Sequence, residues 1–194
     1  MVRYWKPIQT GMERDDDTAA VRWLGECREE EIFGRGIRLE KPVSPHLAAE
    51  WAGTHIELSS LHDLLPGEGT PQRDSARWIV EGAGGVRVPV NEVHFMSDFM
   101  AMLNLPVLVV ARSGLGTINH TLLTLEALRL RHIRVAGVVM VGAPDRDNRA
   151  AIERFGSVRV VGELPPLRPL APETLHAWSA EHLDTDGALQ EYFS

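Results

Sequence analysis

In the second half of the chain, apolar runs alternate with amphipathic stretches, which predicts parallel strands joined by helices. Arg77–Val80 reads as a buried strand that runs into Glu81-Gly82-Ala83-Gly84-Gly85. Phe95, Met96, Phe99, Met100 and Leu103 fall on one stripe of a helix over Phe95–Leu103. Leu105–Ala111 is apolar throughout, which predicts a strand buried on both faces. Thr117–Leu130 reads as a helix with Leu122, Leu125 and Leu128 inside, and Ile133–Val141 as another buried strand. Arg146–Phe155 reads as a helix that Gly156 stops, and Val158–Val161 as a short strand. This alternation implies right-handed crossovers with helices on both faces of a sheet.

The first half is less regular. Arg3–Trp5 reads as the tail of a strand ended by Lys6-Pro7, and Asp17–Cys27 as a helix with Asp or Thr at its cap. Glu40–Pro45 is loop-like, His46–Trp51 and Ile56–Leu64 are short helices, and Leu65–Ser75 is a Pro/Gly-rich connection. Residues 165–185 are Pro-rich and expected on the surface. No internal repeat or low-complexity tract is visible. The fold class expected is α/β, a parallel doubly wound sheet flanked by helices, in a single domain over residues 1–194.

Composition narrows this only a little. The chain has 194 residues and a 44% apolar fraction, ordinary for one globular domain. A net charge of −7 does not favour a nucleic-acid partner. The single cysteine, Cys27, excludes an internal disulfide framework and a cysteine-based zinc site, and reads as an apolar filler. No apolar run reaches the ~18 residues of a membrane span, and no signal peptide is read. A soluble cytoplasmic protein without a membrane or nucleic-acid partner is expected.

Four segments fall at the carboxyl ends of these strands, where α/β proteins bind ligands: Lys6–Gly11, Glu81–Gly85, Ala111–His120 and Gly162–Pro165. Each has a plain reading beside the functional one. Lys6 before a proline is either a solvated end or a cation aimed at a site. Glu81 is either a surface or capping group or a Mg²⁺ ligand, with glycines that let a phosphate approach the backbone. Asp15-Asp16-Asp17 either complements a helix dipole or supplies a Mg²⁺ ligand. Gly114–Asn119 (GLGTIN) mimics a dinucleotide fingerprint but lacks its third glycine. It is either a turn capped by Ser113 or Thr117, or an anion site at a helix N-terminus. The eight histidines show no metal spacing, and nothing positions a partner for His46 or His120 as a base.

In chain order, YWKPIQTG, DDDTAAV, KPVSPHLAA, WIVEGAGGVRVPV, LPVLVVARSGLGTINHTLLT, AGVVM and GELPPL resemble the ATP-dependent dethiobiotin synthetases. The resemblance runs from about Arg3 to Leu167. It implies a P-loop NTPase-like fold and conversion of 7,8-diaminopelargonic acid, CO₂ and MgATP to dethiobiotin. It implies that Lys6 faces the carbamate and γ-phosphate and that Thr10, Gly82 and Gly84 contact substrate. Asp17 and Glu81 would ligate Mg²⁺. Gly116, Thr117, Ile118 and Asn119 would receive the substrate carboxylate across a homodimer interface. Leu164 and Pro165 would contact the nucleotide base, with Glu81 also on the nucleotide side.

The sequence departs from the family at two places. Val141 stands where the family often places an adenine-reading asparagine, and valine neither donates nor accepts. No G-x-x-x-x-G-K-[ST] occurs, and the only lysines are Lys6 and Lys41. The expectation is therefore a family member lacking its first strand, P-loop and helix, and inactive as written. The alternatives are a non-catalytic dimerising or substrate-binding relic, and, less favoured, a cobyrinate-amidating relative.

Overall fold

The computed structural model describes residues 1–65 and 76–192. Most of the connection expected over Leu65–Ser75 lies outside the described residues. The chain divides into two compact units, Met1–Leu103 and Asn104–Ser194. Every strand pairing within the sheets is parallel, in agreement with the α/β expectation.

The first unit is built on β1 (Val2–Trp5), flanked by β3 (Ile32–Phe33) and β5 (Arg77–Val80) in the order β3-β1-β5. A second pair joins β2 (Ile8–Gln9) to β4 (Ile37–Arg38). These two-residue strands are too short to show a period, which is why the sequence did not reveal them. The helices are α1 (Asp17–Leu24), α2 (Pro45–Trp51), α3 (Leu58–His62) and α4 (Met96–Leu103). The register Arg3↔Trp78, Tyr4↔Ile79, Trp5↔Val80 sorts the side chains by face. Trp5, Phe33 and Trp78 share one face, and Trp5 is fully buried. Its ring meets Phe33, Trp78 and Phe99 edge-on at centroid distances of 5.8, 6.4 and 6.0 Å. Its indole N–H donates to the Arg35 carbonyl at 2.6 Å, so the polar end is satisfied. Tyr4, Lys6 and Glu81 belong to the other face. β5 is not buried throughout as expected: Ile79, on that second face, is 48% exposed.

In the second unit β6 (Val107–Arg112), β7 (Val135–Val141) and β8 (Val160–Leu164) lie in the order β6-β7-β8. The central strand has the continuous buried run of an inner parallel strand, with Val138 and Met140 at zero exposure. β6 corrects the sequence reading. It is an edge of this sheet, and Val109 and Ala111 are buried while Leu108 and Val110 are exposed. The apolar run reported β-propensity correctly but not which face is covered. α5 (Thr117–Arg129) buries Thr117, Thr121, Leu125 and Leu128, one helical stripe.

α6 (Arg146–Gly156) ends one residue later than expected, with Ser157 rather than Gly156 in the left-handed region. Gly156 serves packing instead, since a Cβ there would lie 2.8 Å from the Leu125 side chain of α5. The Pro-rich tail is likewise more than surface chain. Pro172 opens α7 (Pro172–His182), where its missing N–H costs nothing. Trp178 of that helix is buried against Val139 and Val161, its N–H donating to the Glu163 carbonyl at 3.2 Å. Among the described residues no helix is long and apolar enough to cross a membrane.

Candidate functional site

The expected candidates of the first unit that come together are Lys6, Asp17, Glu81 and Gly82. Lys6 follows β1 on the same face as Tyr4, and Glu81 follows β5, its N–H donating to the Trp5 carbonyl at 2.9 Å. The parallel register therefore sets the two side chains abreast. The Lys6 ammonium lies 2.8 Å from Glu81 Oε1 and 2.7 Å from Asp17 Oδ2, and donates to the Gly82 carbonyl at 3.1 Å. It is 5% exposed, whereas each carboxylate is 43% exposed. A cation this buried is stable only with opposite charges and hydrogen bonds around it. Here all three of its donors are used.

Three adjacent aspartates have three different roles. Asp16 is the N-cap of α1, its carboxylate accepting from the Ala19 N–H at 3.0 Å. The Asp15 carbonyl accepts from Gln9 Nε2 at 3.1 Å, which ties the turn to the end of β2. Asp17, the first residue of α1, is the one that reaches Lys6. The backbone amides of Arg14 and Asp15 both donate to the Gly11 carbonyl, closing the loop after half-buried Thr10.

Sequence reasoning missed Tyr4. Its hydroxyl donates to Glu81 Oε2 at 2.6 Å, so both oxygens of that carboxylate are held from β1 and the residue that follows it. Burial, then the hydrogen bond to Glu81 and its charge, push the phenol well above its ordinary range, so it stays a donor. The available signal was the period-2 placement of Tyr4 and Lys6 on one face. The glycines that follow have separate duties. Gly84 sits at φ +73° with Val88 Cγ2 2.9 Å from where a Cβ would be, so a side chain is excluded twice. Gly82 packs on Met96 and Met100, leaving its carbonyl to Lys6.

The other expected residues belong to the second unit. Gly116, at φ +91°, is the N-cap residue of α5 and supplies no side-chain cap. Neither Ser113 nor Thr117 caps the helix, contrary to one reading of the sequence. Thr117 is buried with its hydroxyl toward Thr121, Ile118 is half-buried, and Asn119 faces solvent. Leu115, at the tip of this loop, is completely exposed. Glu163 is a packing group here, accepting from Arg149 Nη1 at 3.1 Å. Leu164 and Pro165 are half-buried, and the Leu164 carbonyl accepts from the Gly142 N–H beside Val141.

No cluster of three metal-ligating side chains exists among the described residues. The pair Asp17 and Glu81 still fits Mg²⁺ as nucleotide enzymes hold it, through one or two carboxylates with the remaining positions left to phosphates and water. Both carboxylates are half-exposed, pair with the same ammonium, and are the hard oxygen donors such an ion takes.

Residues 1–174 match the model of an AAA domain family. The chain is 48% identical over 172 residues to the ATP-dependent dethiobiotin synthetase BioD of Paramagnetospirillum magneticum, covering 89% of this chain and 79% of that protein. It is 41% identical to the Agrobacterium fabrum enzyme of the same name, covering 93% and 82%, and 39% identical to that of Brucella ovis, covering 94% and 82%. By these matches the chain belongs to the ATP-dependent dethiobiotin synthetase family.

Proposed function

We propose that the protein closes the ureido ring of dethiobiotin from 7,8-diaminopelargonic acid, CO₂ and ATP, with Lys6 at the reacting groups. The observation that carries this reading is one buried ammonium held between two half-exposed carboxylates at the ends of adjacent parallel strands. One amine of the substrate takes up CO₂ as a carbamate. The carbamate oxygen attacks the γ-phosphorus of ATP and releases ADP. The second amine then attacks the carbonyl of the carbamoyl phosphate, closes the ring and expels phosphate. Each anion in that series gathers charge where Lys6 stands, and a fixed cation in a water-poor site stabilises it without reorganising.

Asp17 and Glu81 would hold Mg²⁺, which supplies charge neutralisation at the transferring phosphoryl group. Thr10 would hydrogen-bond the substrate, and Gly82 and Gly84 would let it lie along the backbone. At the start of α5, Gly116, Thr117, Ile118 and Asn119 would receive the substrate's distant carboxylate, favoured there by the helix dipole. That carboxylate would come from the second copy of a homodimer. Leu115, at the exposed tip beside these residues, would lie in that interface. Leu164 and Pro165 would contact the base, with Val141 offering it no hydrogen bond. We place this single-domain enzyme in the cytoplasm.

The test is Glu81→Gln in the full-length protein, which keeps shape and removes charge. The Mg²⁺ concentration for half-maximal rate should rise at least about tenfold. An unchanged Mg²⁺ dependence would refute the assignment of Glu81.

A further inference from the structure

We infer that Tyr4 is a positioning residue for Glu81: its hydroxyl fixes the plane of the carboxylate so that the remaining lone pairs face a divalent cation. The inference rests on the reading of Glu81 as a Mg²⁺ ligand. A carboxylate on a flexible side chain can rotate about its last bond, and each orientation offers a different lone pair. Here that rotation is blocked at both ends. Tyr4 Oη donates to Oε2 at 2.6 Å and Lys6 Nζ to Oε1 at 2.8 Å. Turning the carboxylate breaks one bond or both.

Both donors sit on one rigid platform. Trp5 lies between them in sequence and points to the opposite face, where three aromatic rings enclose it. The spacing of Tyr4 and Lys6 is thus set by strand geometry and not by two independent loops. The two donors also differ in kind. Lys6 is charged and has a second carboxylate, Asp17, to serve. Tyr4 is neutral and 6% exposed, and among the described residues its hydroxyl is aimed only at Glu81. A neutral donor orients the carboxylate without cancelling the charge that a cation needs. Partners behind a metal ligand act in this way, and their removal typically weakens metal binding about 10–100-fold. A hydrogen bond with no role beyond stability would instead lower the unfolding temperature and leave the cation untouched.

The experiment compares wild type, Tyr4→Phe, Glu81→Gln and the double variant as full-length proteins. Phenylalanine keeps the buried ring and removes only the hydroxyl. Mn²⁺ is the probe, counted by loss of its free-ion EPR signal, alongside Mg²⁺-dependent turnover and thermal unfolding. Tyr4→Phe should weaken Mn²⁺ binding and raise the half-saturating Mg²⁺ about tenfold, while KM for diaminopelargonic acid holds within twofold. In the Glu81→Gln background the same change should add nothing. If Glu81→Gln weakens Mn²⁺ binding and Tyr4→Phe does not, the positioning role is overturned and the metal assignment survives. If Glu81→Gln also leaves Mn²⁺ binding unchanged, both readings fall together.

Discussion

The ends of β1 and β5 and the loop before α5 are both strand-end segments, yet they are built in opposite ways. At Lys6 and Glu81 the charged groups satisfy one another: an ammonium with three partners and a carboxylate with both oxygens engaged. At Ser113–Asn119 burial is mixed: Ser113 and Thr117 are buried, Leu115 and Asn119 are exposed, and the helix is opened by a glycine without a side-chain cap. The first is a closed network of charge pairs and hydrogen bonds, which suits the transition-state role proposed for it. The second leaves an apolar tip and Asn119 open, which suits the docking role proposed for it. On the proposed reading, charge that stabilises the reaction is held by neighbours, and contacts that recognise a distant group are left open.

The strongest way to break that contrast is Lys6→Met. If the cluster is where charge develops, kcat should fall by about 10²–10³, while binding at the α5 loop, read as KM for diaminopelargonic acid, changes much less. Little loss of kcat together with a lowered unfolding temperature would show that Lys6 is a structural counter-ion for Asp17 and Glu81.

Next in size is Asn119→Ala. KM for diaminopelargonic acid should rise about tenfold with KM for ATP unchanged, since a single hydrogen bond to a charged group is lost, worth about 1.5 kcal/mol. Light scattering on the active wild-type protein should give a dimer. A strictly monomeric active enzyme would refute the proposed homodimer.

The smallest effect separates neighbours within the organised site. Asp16→Ala removes the α1 cap and should lower stability by about 1 kcal/mol in denaturant unfolding, with half-saturating Mg²⁺ unchanged. Asp17 one residue on has no such capping role. A shift in Mg²⁺ dependence for Asp16→Ala would mean that the two aspartates had been assigned the wrong way round.

Much of the candidate site was legible from residue type and place. Lys6 and Glu81 stand just past apolar runs, and parallel strands put such positions on one sheet edge. The division of labour among Asp15, Asp16 and Asp17 was not legible. All three are chemically alike, and only the helix start distinguishes a cap from a group that projects toward Lys6. Tyr4 was overlooked for a related reason. A tyrosine inside an apolar strand looks like core, and its hydroxyl becomes meaningful only when the register brings Glu81 within 2.6 Å.

By itself the sequence determined the parallel α/β alternation, the clustering of chemistry at strand ends, and the family to which the chain belongs. These depend on local period and on ordered motifs, which need no knowledge of neighbours. Tertiary structure alone decided that β6 has one open face, that Gly156 belongs inside α6 because Leu125 crosses it, and that Trp178 turns a Pro-rich tail into a packed helix. It also decided which carboxylates share the Lys6 ammonium. Periodicity shows which residues lie on one face of an element but carries no information about what covers that face. Electrostatic roles likewise follow from distances of a few ångströms between residues up to 77 positions apart in the chain.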